Sequence, residues 1–385
     1  MTVSRPLHVC LVCNTAWAIH TYRPGLIKAL LAQGARVTVL APYDRTFAPL
    51  QAWGVTCIDV PIHSKGTNPL ADLKTLVTLW RHYWALKPDM AFHYTIKANI
   101  YGTIAAALAR VKSIAVTTGL GYVFIQRSRA AQVAKQLYKI AFRFPHEVWF
   151  LNPDDHRTFV DAGLLVHPER AELLRSEGID LEQFPLTPIA AGKPDFVFIL
   201  VGRLLWDKGV AEYVAAARAV KARYPQARFQ LLGPVGVANP SAISKQEVEQ
   251  WVAEGVVEWL GETDDVRPYL SAADCVVLPS YREGMPRTLL EASALGRPIV
   301  ATRVPGCRDV VEDGVTGLLC EVRSADDLAA KMLQMLEMSA QQRAHMGELG
   351  RARMQAEFDE RLIIQRYFAA LTTHTGVRFE EKRPS

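Results

Sequence analysis

Short apolar runs alternate along the chain with longer stretches whose apolar residues recur at helical spacing. In the first half, the strand-like runs lie at residues 7–13, 36–41, 56–60, 90–93, 113–117 and 147–151. Helical stretches lie between them at residues 22–33, 70–86 and 100–109. Continuous apolar strands separated by helices predict a parallel sheet that is covered on both faces.

The same pattern restarts after a stretch with several prolines. Residues 181–194 are predicted to be a linker. In the second half, the strand-like runs lie at residues 196–201, 228–232, 256–260, 275–278 and 298–301. We therefore expect two doubly wound Rossmann-like domains, residues 1–185 and 195–365, followed by a helix end and tail at 366–385. A cleft between two such domains is the usual place for a ligand.

Length and composition are those of a two-domain globular chain. The 385 residues are half apolar and 22% charged, and one domain typically takes about 100–200 residues. The longest apolar runs have strand length and fall well short of the ~20 residues that span a bilayer. Because a strand begins at about Leu7, no signal peptide is expected, and we predict a cytoplasmic protein.

The six cysteines are scattered, and two of them, Cys10 and Cys13, form a C-x-x-C pair. Such a pair serves redox chemistry or metal binding in some proteins. Here both residues fall within a predicted apolar strand, and no second pair has metal-ligand spacing. We therefore expect reduced cysteines that are buried in the core.

Positive charge is concentrated in the first half of the chain. The net charge is +7 for residues 1–190 and −2 for residues 191–385. Residues 90–146 contain eight Lys or Arg and no Asp or Glu, so this stretch is expected to face something anionic. A nucleic acid is disfavoured because the chain has no nucleic-acid recognition module.

A predicted helix at residues 127–144 lies within this acid-free stretch. Its apolar residues recur at helical spacing, and Lys135, Lys139 and Arg143 form a separate basic stripe. Basic amphipathic helices bind anionic membrane surfaces, and the cations also suit a diphosphate-linked lipid. The alternative is a core-packing helix whose basic face is only solvated.

Several common nucleotide and metal motifs are missing from the sequence. Neither half contains G-x-G-x-x-G or a P-loop, which argues against a dinucleotide dehydrogenase and against a kinase. There is no D-x-D pair, so a carboxylate-bound metal is not indicated. Candidate chemistry lies instead at the carboxyl ends of the second-half strands, where open parallel sheets bind ligands.

The first cluster follows the strand at residues 196–201. Gly202 and Arg203 come directly after it, and Lys208 stands where the next helix begins. Two cations at a strand-to-helix turn suit a diphosphate, because Arg grips it through paired hydrogen bonds and Lys adds a point charge. Taken alone, the two cations are also explained as surface charge.

A second cluster is the turn at residues 261–265, which follows the strand at 256–260. Backbone groups of this turn are suited to reading the edge of a base. The alternative is a helix cap, in which Asp264 or Asp265 caps a helix at 266–272.

The third cluster runs from Glu283 to Glu291. Pro286 is predicted at the first helical position, and the helix is expected to run to Leu295 and stop at Gly296. The amides at such a helix start form an anion site suited to a diphosphate. Acids on both sides of an anion site are unfavourable unless they bind hydroxyls, which a sugar and a ribose supply. The alternative is a pair of ordinary helix-end acids.

Together these clusters resemble the C-terminal signature of glycosyltransferase family 4, whose members are retaining enzymes of the GT-B fold. The likeness continues through Pro298-Ile-Val-Ala-Thr, Val304-Pro-Gly and Glu312-Asp-Gly-Val-Thr-Gly-Leu, and it covers about residues 195–365. It implies an α/β GT-B architecture: two Rossmann-like doubly wound domains with an interdomain cleft.

The resemblance implies roles for the matching positions. Arg203 and Lys208 would bind the donor diphosphate and stabilise the leaving group, and Glu283 would contact the donor sugar near the reacting carbon. Glu291 would hold the ribose hydroxyls. The remaining implied donor contacts are the amides of Gly284, Met285, Arg287 and Thr288 for the phosphates, and Leu260, Gly261 and Thr263 for the base.

The first half resembles a narrower branch of enzymes that build bacterial O-antigen, capsule and glycoprotein glycans. N-acetylgalactosaminyltransferases that act on diphosphoundecaprenol-linked diacetylbacillosamine belong to this branch. The likeness rests on His93-Tyr-Thr-Ile-Lys97-Ala-Asn-Ile-Tyr-Gly102 and on Thr118-Gly119-Leu-Gly-Tyr122. It implies acceptor-side roles for His93, Lys97, Thr118, Gly119 and Tyr122.

Two departures from the family pattern concern this half. Many members carry a glycine-rich loop after the first strand, whereas this chain has the candidate site residues Asn14 and Thr15 there, followed by Ala-Trp-Ala. Many also place a histidine near the donor sugar after a later strand, where this chain has Thr117-Thr118-Gly119. His93 lies at the end of a different strand, so whether it replaces that histidine stays open.

The resemblance implies a retaining transferase that moves an N-acetylhexosamine-type sugar from a UDP-sugar to a polyprenyl-diphosphate-linked saccharide. UDP follows from family habit, and no metal or other cofactor is expected. The protein is expected to lie peripherally on the inner face of the cytoplasmic membrane. The alternatives are a UDP-sugar 2-epimerase of the same fold and a non-catalytic lipid-binding scaffold.

Overall fold

The computed structural model of the protein describes residues 5–63, 68–120, 129–189 and 195–379. The chain divides into two compact units. The first unit comprises Met1–Gly178 and Glu360–Ser385, and the second comprises Ile179–Asp359. Each unit is built on its own parallel sheet, as the alternation of strands and helices predicts.

The sheet of the first unit has seven strands. They are β1 (His8–Val12), β2 (Arg36–Ala41), β3 (Thr56–Asp59), β4 (Met90–Tyr94), β5 (Ser113–Thr117), β6 (Glu147–Phe150) and β7 (Ala171–Leu173). Their order is β3-β2-β1-β4-β5-β6-β7, and every pairing is parallel. The strands β1, β4 and β5 are buried at every position, which explains their continuous apolar sequences. The order reverses between β1 and β4.

Helices cover this sheet, and one predicted helix is in fact two. In the described residues before the second unit they are α1 (Ala16–Tyr22), α2 (Pro24–Ala32), α3 (Phe47–Ala52), α4 (Pro69–Leu86), α5 (Thr103–Leu108), α6 (Arg129–Ala141) and α7 (Pro153–Asp161). The predicted helix at 22–33 breaks at Arg23, because Pro24 lacks an amide hydrogen and begins α2 instead.

The second unit contains a six-stranded parallel sheet. Its strands are β8 (Val197–Val201), β9 (Arg228–Leu232), β10 (Glu258–Trp259), β11 (Cys275–Leu278), β12 (Ile299–Thr302) and β13 (Gly317–Cys320), in the order β10-β9-β8-β11-β12-β13. Its helices are α8 (Val210–Arg223), α9 (Lys245–Ala253), α10 (Arg267–Ala272), α11 (Arg287–Ala294), α12 (Cys307–Val310), α13 (Ala325–Glu337) and α14 (Ala340–Arg353). The order reverses between β8 and β11.

The predicted linker is wrong for its first part. Leu181 and Phe184 are buried in the core of the second unit together with residues of β8 and β11, and residues 190–194 lie outside the described chain. The crossing from the first unit to the second comes earlier, between Gly178 and Ile179. Proline spacing marked an irregular backbone, but irregular backbone can still be packed into a core.

The chain returns to the first unit at Glu360, in helix α15 (Glu360–Thr375). The Tyr367 ring lies 4.9 Å from Phe92 and 4.8 Å from Trp149, and its hydroxyl is 3.1 Å from the Tyr94 hydroxyl. The sequence prediction instead extended the second domain to residue 365. An amphipathic pattern shows that a helix covers a core, but not which core it covers.

Candidate functional site

The carboxyl ends of β8 and β11 flank the reversal in the second sheet, where parallel sheets bind ligands. Gly202 and Arg203 follow β8, and Pro279 follows β11. Gly202 has a φ of 151°, which suits a residue without a side chain. The first and third predicted clusters are therefore brought to the same edge of the sheet.

Two close backbone contacts fix the loops after β8 and β11 to each other. Gly209 has a φ of 71°, and a Cβ atom there would lie 2.1 Å from the carbonyl oxygen of Pro279. The amide of Tyr281 donates a hydrogen bond of 2.9 Å to the carbonyl oxygen of Asp207. Only glycine allows the first of these contacts, so the sequence specifies how closely the loops approach.

Lys208 and Glu283 form an ion pair between these two loops. Their side chains are 23% and 12% exposed, so water screens the pair less than it screens a surface pair. Arg203 differs, because its side chain is exposed. The structure thus joins two of the three predicted catalytic side chains directly and leaves the third accessible to an incoming ligand.

Helix α11 begins one residue later than predicted. Pro286 is the cap, with φ −74° and ψ 109°, and Arg287 is the first helical residue. The prediction for Pro286 is wrong by one position because the fixed φ of proline fits the cap as well as the first turn. The helix ends at Ala294, and Gly296 has the positive φ of 73° expected of a residue that stops a helix.

The start of α11 is held against both neighbouring strand ends. The hydroxyl of Thr288 donates to the carbonyl oxygen of Val201 over 3.3 Å. A Cβ atom on Gly306 would lie 2.8 Å from the carbonyl oxygen of Gly284, so the loop after β12 supports the backbone before Met285. Amides in the first turn of a helix have no carbonyl partner within the helix, and this turn includes Arg287 and Thr288.

Glu291 is paired with Arg287 one turn earlier on α11. The Arg287 Nε atom donates to Oε1 of Glu291 over 2.8 Å, and Glu291 is 8% exposed. Burial raises the pKa of Glu291, and the guanidinium of Arg287 opposes that rise. The resemblance assigned only the backbone amide of Arg287 to the site. The i, i+4 spacing of Arg287 and Glu291 is the sequence feature that indicates the side-chain pair.

The turn after β10 contains the residues predicted to face a base. Gly261, at φ 77°, accepts a 2.7 Å hydrogen bond from the amide of Gly233. The Thr263 hydroxyl is 3.1 Å from both the amide and the carbonyl oxygen of Asp265. Asp265 also accepts the amide of Arg267, the first residue of α10, at 3.0 Å, but the cap residue itself is Val266, which makes no side-chain cap hydrogen bond. Leu260 is half-buried and packs against the core beneath α11.

In the first unit, Asn14 and Thr15 follow β1 at the reversal of the sheet. The Thr15 hydroxyl donates to Oδ2 of Asp44 over 3.1 Å, and the same oxygen accepts the amide of Trp17 at 2.9 Å. Asp44 follows β2 and caps the start of α1. Sequence reasoning missed Asp44, because its partners lie more than 25 residues earlier.

Lys97 follows β4 at the same reversal, but its charge is balanced. Its Nζ atom lies 2.7 Å from Oδ1 of Asp72 on α4, and both side chains are mostly buried. The hydroxyl of Tyr101 donates to the other oxygen of Asp72 over 2.9 Å. The acid-free stretch of the sequence is therefore not acid-free in space, because Asp72 pairs with Lys97.

His93 is a core residue, so it has no exposed surface that a ligand could contact. Its ring is fully buried, and its Nε2 atom lies 2.7 Å from the hydroxyl of Tyr83. A Cβ atom on Gly102 would lie 2.2 Å from the ring. Burial lowers the pKa of His93 to about 3. The structure therefore argues against the predicted acceptor-side role of His93.

Thr118 and Gly119 follow β5, which lies two strands from β1 in the sheet. Thr118 is half-buried, and Gly119 has a φ of 139° that favours glycine. Tyr122, the last residue of this predicted group, lies outside the described residues. The structure keeps the first two at a strand end where a ligand is expected.

Comparison with known proteins identifies the family. Residues 195–338 match the model of glycosyl transferases group 1, and residues 8–152 match the model of the glycosyl transferase 4-like family. The first match covers all six strands of the second unit's sheet, and the second match covers β1 to β6 of the first unit's sheet. The chain is a glycosyltransferase of family 4.

The curated relatives of this glycosyltransferase include enzymes with lipid-linked acceptors. It is 29% identical over 91% of its length to the Campylobacter jejuni N,N'-diacetylbacillosaminyl-diphospho-undecaprenol alpha-1,3-N-acetylgalactosaminyltransferase, of which 94% is covered. It is 26% identical over 72% of its length to an Escherichia coli UDP-Gal:alpha-D-GlcNAc-diphosphoundecaprenol alpha-1,3-galactosyltransferase, of which 74% is covered.

Solved structures agree on the fold of the glycosyltransferase. Anabaena HepE in complex with UDP superposes with a TM-score of 0.76 at 21% identity, covering 95% of this chain and all of the other. A Rickettsia africae glycosyltransferase superposes with a TM-score of 0.78 at 13% identity, covering 96% and 99% of the two chains. The two-domain GT-B architecture is therefore shared.

The cysteines of the described residues are free. Cys10 and Cys13 are free and buried, as predicted. Over the described ranges, no group of three or more His, Cys, Asp or Glu side chains is placed to hold a metal ion. None of the helices described here combines the length and apolar character that crossing a bilayer requires.

The predicted basic helix is α6, and it has two different faces. Tyr138 and Ala141 are buried in the core of the first unit. Val133 and Ile140 are exposed, as is Lys139 beside them. The core-packing alternative thus describes one face, while the other face keeps the mixture of apolar and basic side chains that the membrane prediction requires.

The buried carboxylate of Glu291 makes the stability of the glycosyltransferase depend on pH. Because burial raises its pKa above the ordinary 4.5, folding favours the protonated form. That contribution is fully present below the unfolded-state pKa and is lost as the pH rises through the folded-state value. We therefore expect Glu291→Gln to gain stability relative to the wild type as the pH rises from about 4.5 toward neutral.

Thermal denaturation of both proteins across this pH range measures the difference. The exposed Glu249, changed to Gln, is the reference for loss of a surface carboxylate. A difference between wild type and Glu291→Gln that stays constant with pH would show that Glu291 titrates alike in the folded and unfolded chain.

Proposed function

We propose that this glycosyltransferase moves an N-acetylhexosamine-type sugar from a UDP-sugar to a polyprenyl-diphosphate-linked saccharide in bacterial surface-glycan or glycoprotein-glycan synthesis. The observation that carries the proposal is the pairing of two carboxylates with two cations at one helix start. Glu283 pairs with Lys208, and Glu291 pairs with Arg287. The lipid-linked substrates in the names of the Campylobacter and Escherichia relatives support the acceptor class.

The donor fits the chemistry of the helix start. Amides of a helix N-terminus bind phosphate oxygens, and Lys208 brings a positive charge beside them. When a bound diphosphate replaces Glu283 as the partner of Lys208, the carboxylate of Glu283 accepts hydrogen bonds from sugar hydroxyls. Glu291 accepts hydrogen bonds from the ribose hydroxyls. UDP as the nucleotide is supported by HepE, which shares the fold and was solved with UDP.

In the proposed reaction, the bond between the anomeric carbon and the diphosphate oxygen breaks. A bond from the acceptor hydroxyl oxygen forms on the same face, and the acceptor proton passes to the departing diphosphate. Negative charge builds up on that diphosphate, so Arg203 and Lys208 stabilise the transition state electrostatically. In this mechanism the two side chains and the helix amides neutralise the diphosphate without a metal ion.

The acceptor side of the proposal rests on the first unit. Asn14, Thr15, Lys97 and Thr118 place polar side chains at the carboxyl ends of β1, β4 and β5. Because Asp72 balances Lys97, this group is better suited to hydrogen bonding with acceptor sugars than to binding a diphosphate. A lipid-linked acceptor places the enzyme peripherally at the inner face of the cytoplasmic membrane in this proposal.

The proposal is tested with a panel of UDP-sugars and a polyprenyl-diphosphate-linked saccharide as acceptor. We expect UDP release that requires the acceptor and is fastest with UDP-N-acetylhexosamines. Nuclear magnetic resonance of the product should show the anomeric configuration of the donor. Acceptor-independent turnover, or an inverted product, would contradict the proposed reaction.

The same assay separates the two alternatives. Incubation with a UDP-sugar alone would yield an isomerised sugar if the protein were a 2-epimerase. A scaffold would bind lipid without turnover, and substitutions at Glu283 or Lys208 would change nothing measurable in the assay.

A further inference from the structure

A concave surface lies at the amino ends of strands in the first unit's sheet, opposite the carboxyl ends that Asn14 and Lys97 follow. It is a cavity of about 410 Å³ formed where β1, β4 and β5 begin. Its wall includes Arg5 before β1, Asp89 before β4 and Lys112 before β5. The proposed transfer reaction uses none of these residues.

The lining of this cavity is strongly basic. It contains four cations, Arg5, Lys87, Arg110 and Lys112, and one carboxylate, Asp89. Asp89 is already occupied: its Oδ1 atom lies 2.5 Å from Arg5, and its Oδ2 atom accepts the amide of His8 at 2.8 Å. Lys112 donates to the carbonyl oxygen of His374, which carries no charge. The cavity therefore holds three more positive charges than negative ones.

Lys87 and Arg110 are held at this cavity by an unusual backbone. Their φ values are 45° and 57°, in the left-handed region that residues with side chains seldom adopt. Each follows a helix, α4 or α5, whose carbonyl end attracts a cation. That attraction accounts for two of the cations, whereas Arg5 pairs with Asp89 and Lys112 donates to the carbonyl oxygen of His374.

Exposed apolar side chains adjoin the cavity. Trp84 lines it and is 66% exposed, and Trp80 lies one turn earlier on the same face of α4. Leu108, at the end of α5, is 62% exposed. The only acid on α4 is Asp72, which is paired with Lys97. Tryptophan beside cations, without free acids, is typical of surfaces that sit in the headgroup region of a membrane.

We propose that this cavity binds the phosphate of an anionic phospholipid headgroup, with Trp84 and Trp80 entering the interface beside it. Lys87, Arg110 and Lys112 surround the phosphate, and the apolar side chains contact the acyl boundary. The inference rests on the proposed function only in choosing a lipid as the source of the phosphate. The exposed face of α6 is the competing surface.

The test compares two double variants that each remove two positive charges. Lys87→Asn with Arg110→Asn empties the cavity of two cations, and asparagine tolerates their left-handed backbone. Lys139→Asn with Arg143→Asn removes the same charge from the α6 surface. Binding of the full-length protein is measured by sedimentation with vesicles of phosphatidylglycerol and phosphatidylcholine, and with phosphatidylcholine alone.

We expect the cavity variant to bind phosphatidylglycerol vesicles roughly tenfold or more weakly than the wild type, because each cation near an anionic surface contributes to binding. The α6 variant should lose much less, and neutral vesicles should show no difference between the proteins. The reverse ranking of the two variants would overturn the proposal in favour of α6.

Two further measurements distinguish a lipid headgroup from a free phosphate ion. Trp84→Ala should weaken vesicle binding while leaving any binding of glycerol 3-phosphate unchanged. A thermal shift with millimolar inorganic phosphate that the cavity variant loses, without any loss of vesicle binding, would mean that the site takes a soluble anion and would overturn the lipid assignment.

Transfer to a short-chain acceptor in the absence of membranes tests the proposed function separately. Both double variants should keep wild-type transfer there, because their residues lie outside the donor and acceptor edges. Failure of the wild type in this assay would contradict the proposed function and leave the vesicle results standing.

Discussion

We expect Lys208→Ala to lower kcat by about 10²- to 10³-fold, because a preorganised positive charge near the leaving group typically contributes this much. Lys208 is mostly buried and contacts Glu283 directly, so water cannot replace its charge well. Removing it also leaves the carboxylate of Glu283 without its cation beside a diphosphate. Both effects raise the free energy of the transition state.

The measurement is steady-state UDP release at saturating donor, with and without acceptor. Lys221→Ala is the matched control, because this half-buried lysine near the end of α8 in the same unit donates to the carbonyl oxygen of Gly255. We expect the control to retain wild-type kcat. If Lys208→Ala kept near-normal kcat with only a raised KM, Lys208 would bind the donor without stabilising the departing charge.

The second-unit site was largely predictable from the sequence because its parts are local. Gly202 and Arg203 directly follow β8, and Glu283 to Glu291 lie in the single loop and helix that follow β11. The rule that carboxyl ends of parallel strands meet at one edge then places both groups together. What it did not predict was the pairing of Lys208 with Glu283, which lie 75 positions apart.

The first unit was predicted less well, because its site residues are decided by distant partners. Lys97 lies within a stretch of sequence that contains no acid, yet Asp72 on α4, 25 positions earlier, pairs with it. His93 looked like a polar residue at a strand end, but Gly102 and Tyr83 enclose its ring in the core. Neither the pairing of Lys97 with Asp72 nor the burial of His93 leaves a local pattern in the sequence.

The cation–carboxylate pairs explain how acids can stand beside an anion site. A carboxylate close to a bound diphosphate is repelled by it, and a buried one is also poorly solvated. Lys208 reduces both penalties for Glu283, and Arg287 reduces them in part for Glu291, whose pKa is still raised by burial. The acids therefore remain available as hydrogen-bond acceptors for hydroxyl groups, a role that no cation of the site can take.

Gly209→Ala is expected to destabilise the second unit by about 3 kcal/mol and to reduce activity with it, because strain and overpacking act together. The added methyl group would lie 2.1 Å from the carbonyl oxygen of Pro279, and the backbone at Gly209 has a φ of 71°. Relief of the clash requires the loop after β8 or the loop after β11 to move. Either movement separates Lys208 from Glu283.

Gly236→Ala provides the matched control in the same unit. Gly236 has a similar φ of 61°, but a Cβ atom there would meet nothing within 4 Å. Its substitution should therefore cost only the left-handed strain, about 1–2 kcal/mol, and should leave kcat unchanged. Urea denaturation gives the stability of both variants, and UDP release gives their activity.

The contrast between the two glycines isolates the close approach from the backbone strain. If both variants lost the same stability and kept the same kcat, the contact between Gly209 and Pro279 would not be what holds the two loops together. If only Gly209→Ala lost activity, the spacing of those loops would be a condition of catalysis. A shift of about 1 Å in reacting groups is enough for a loss near 10²-fold.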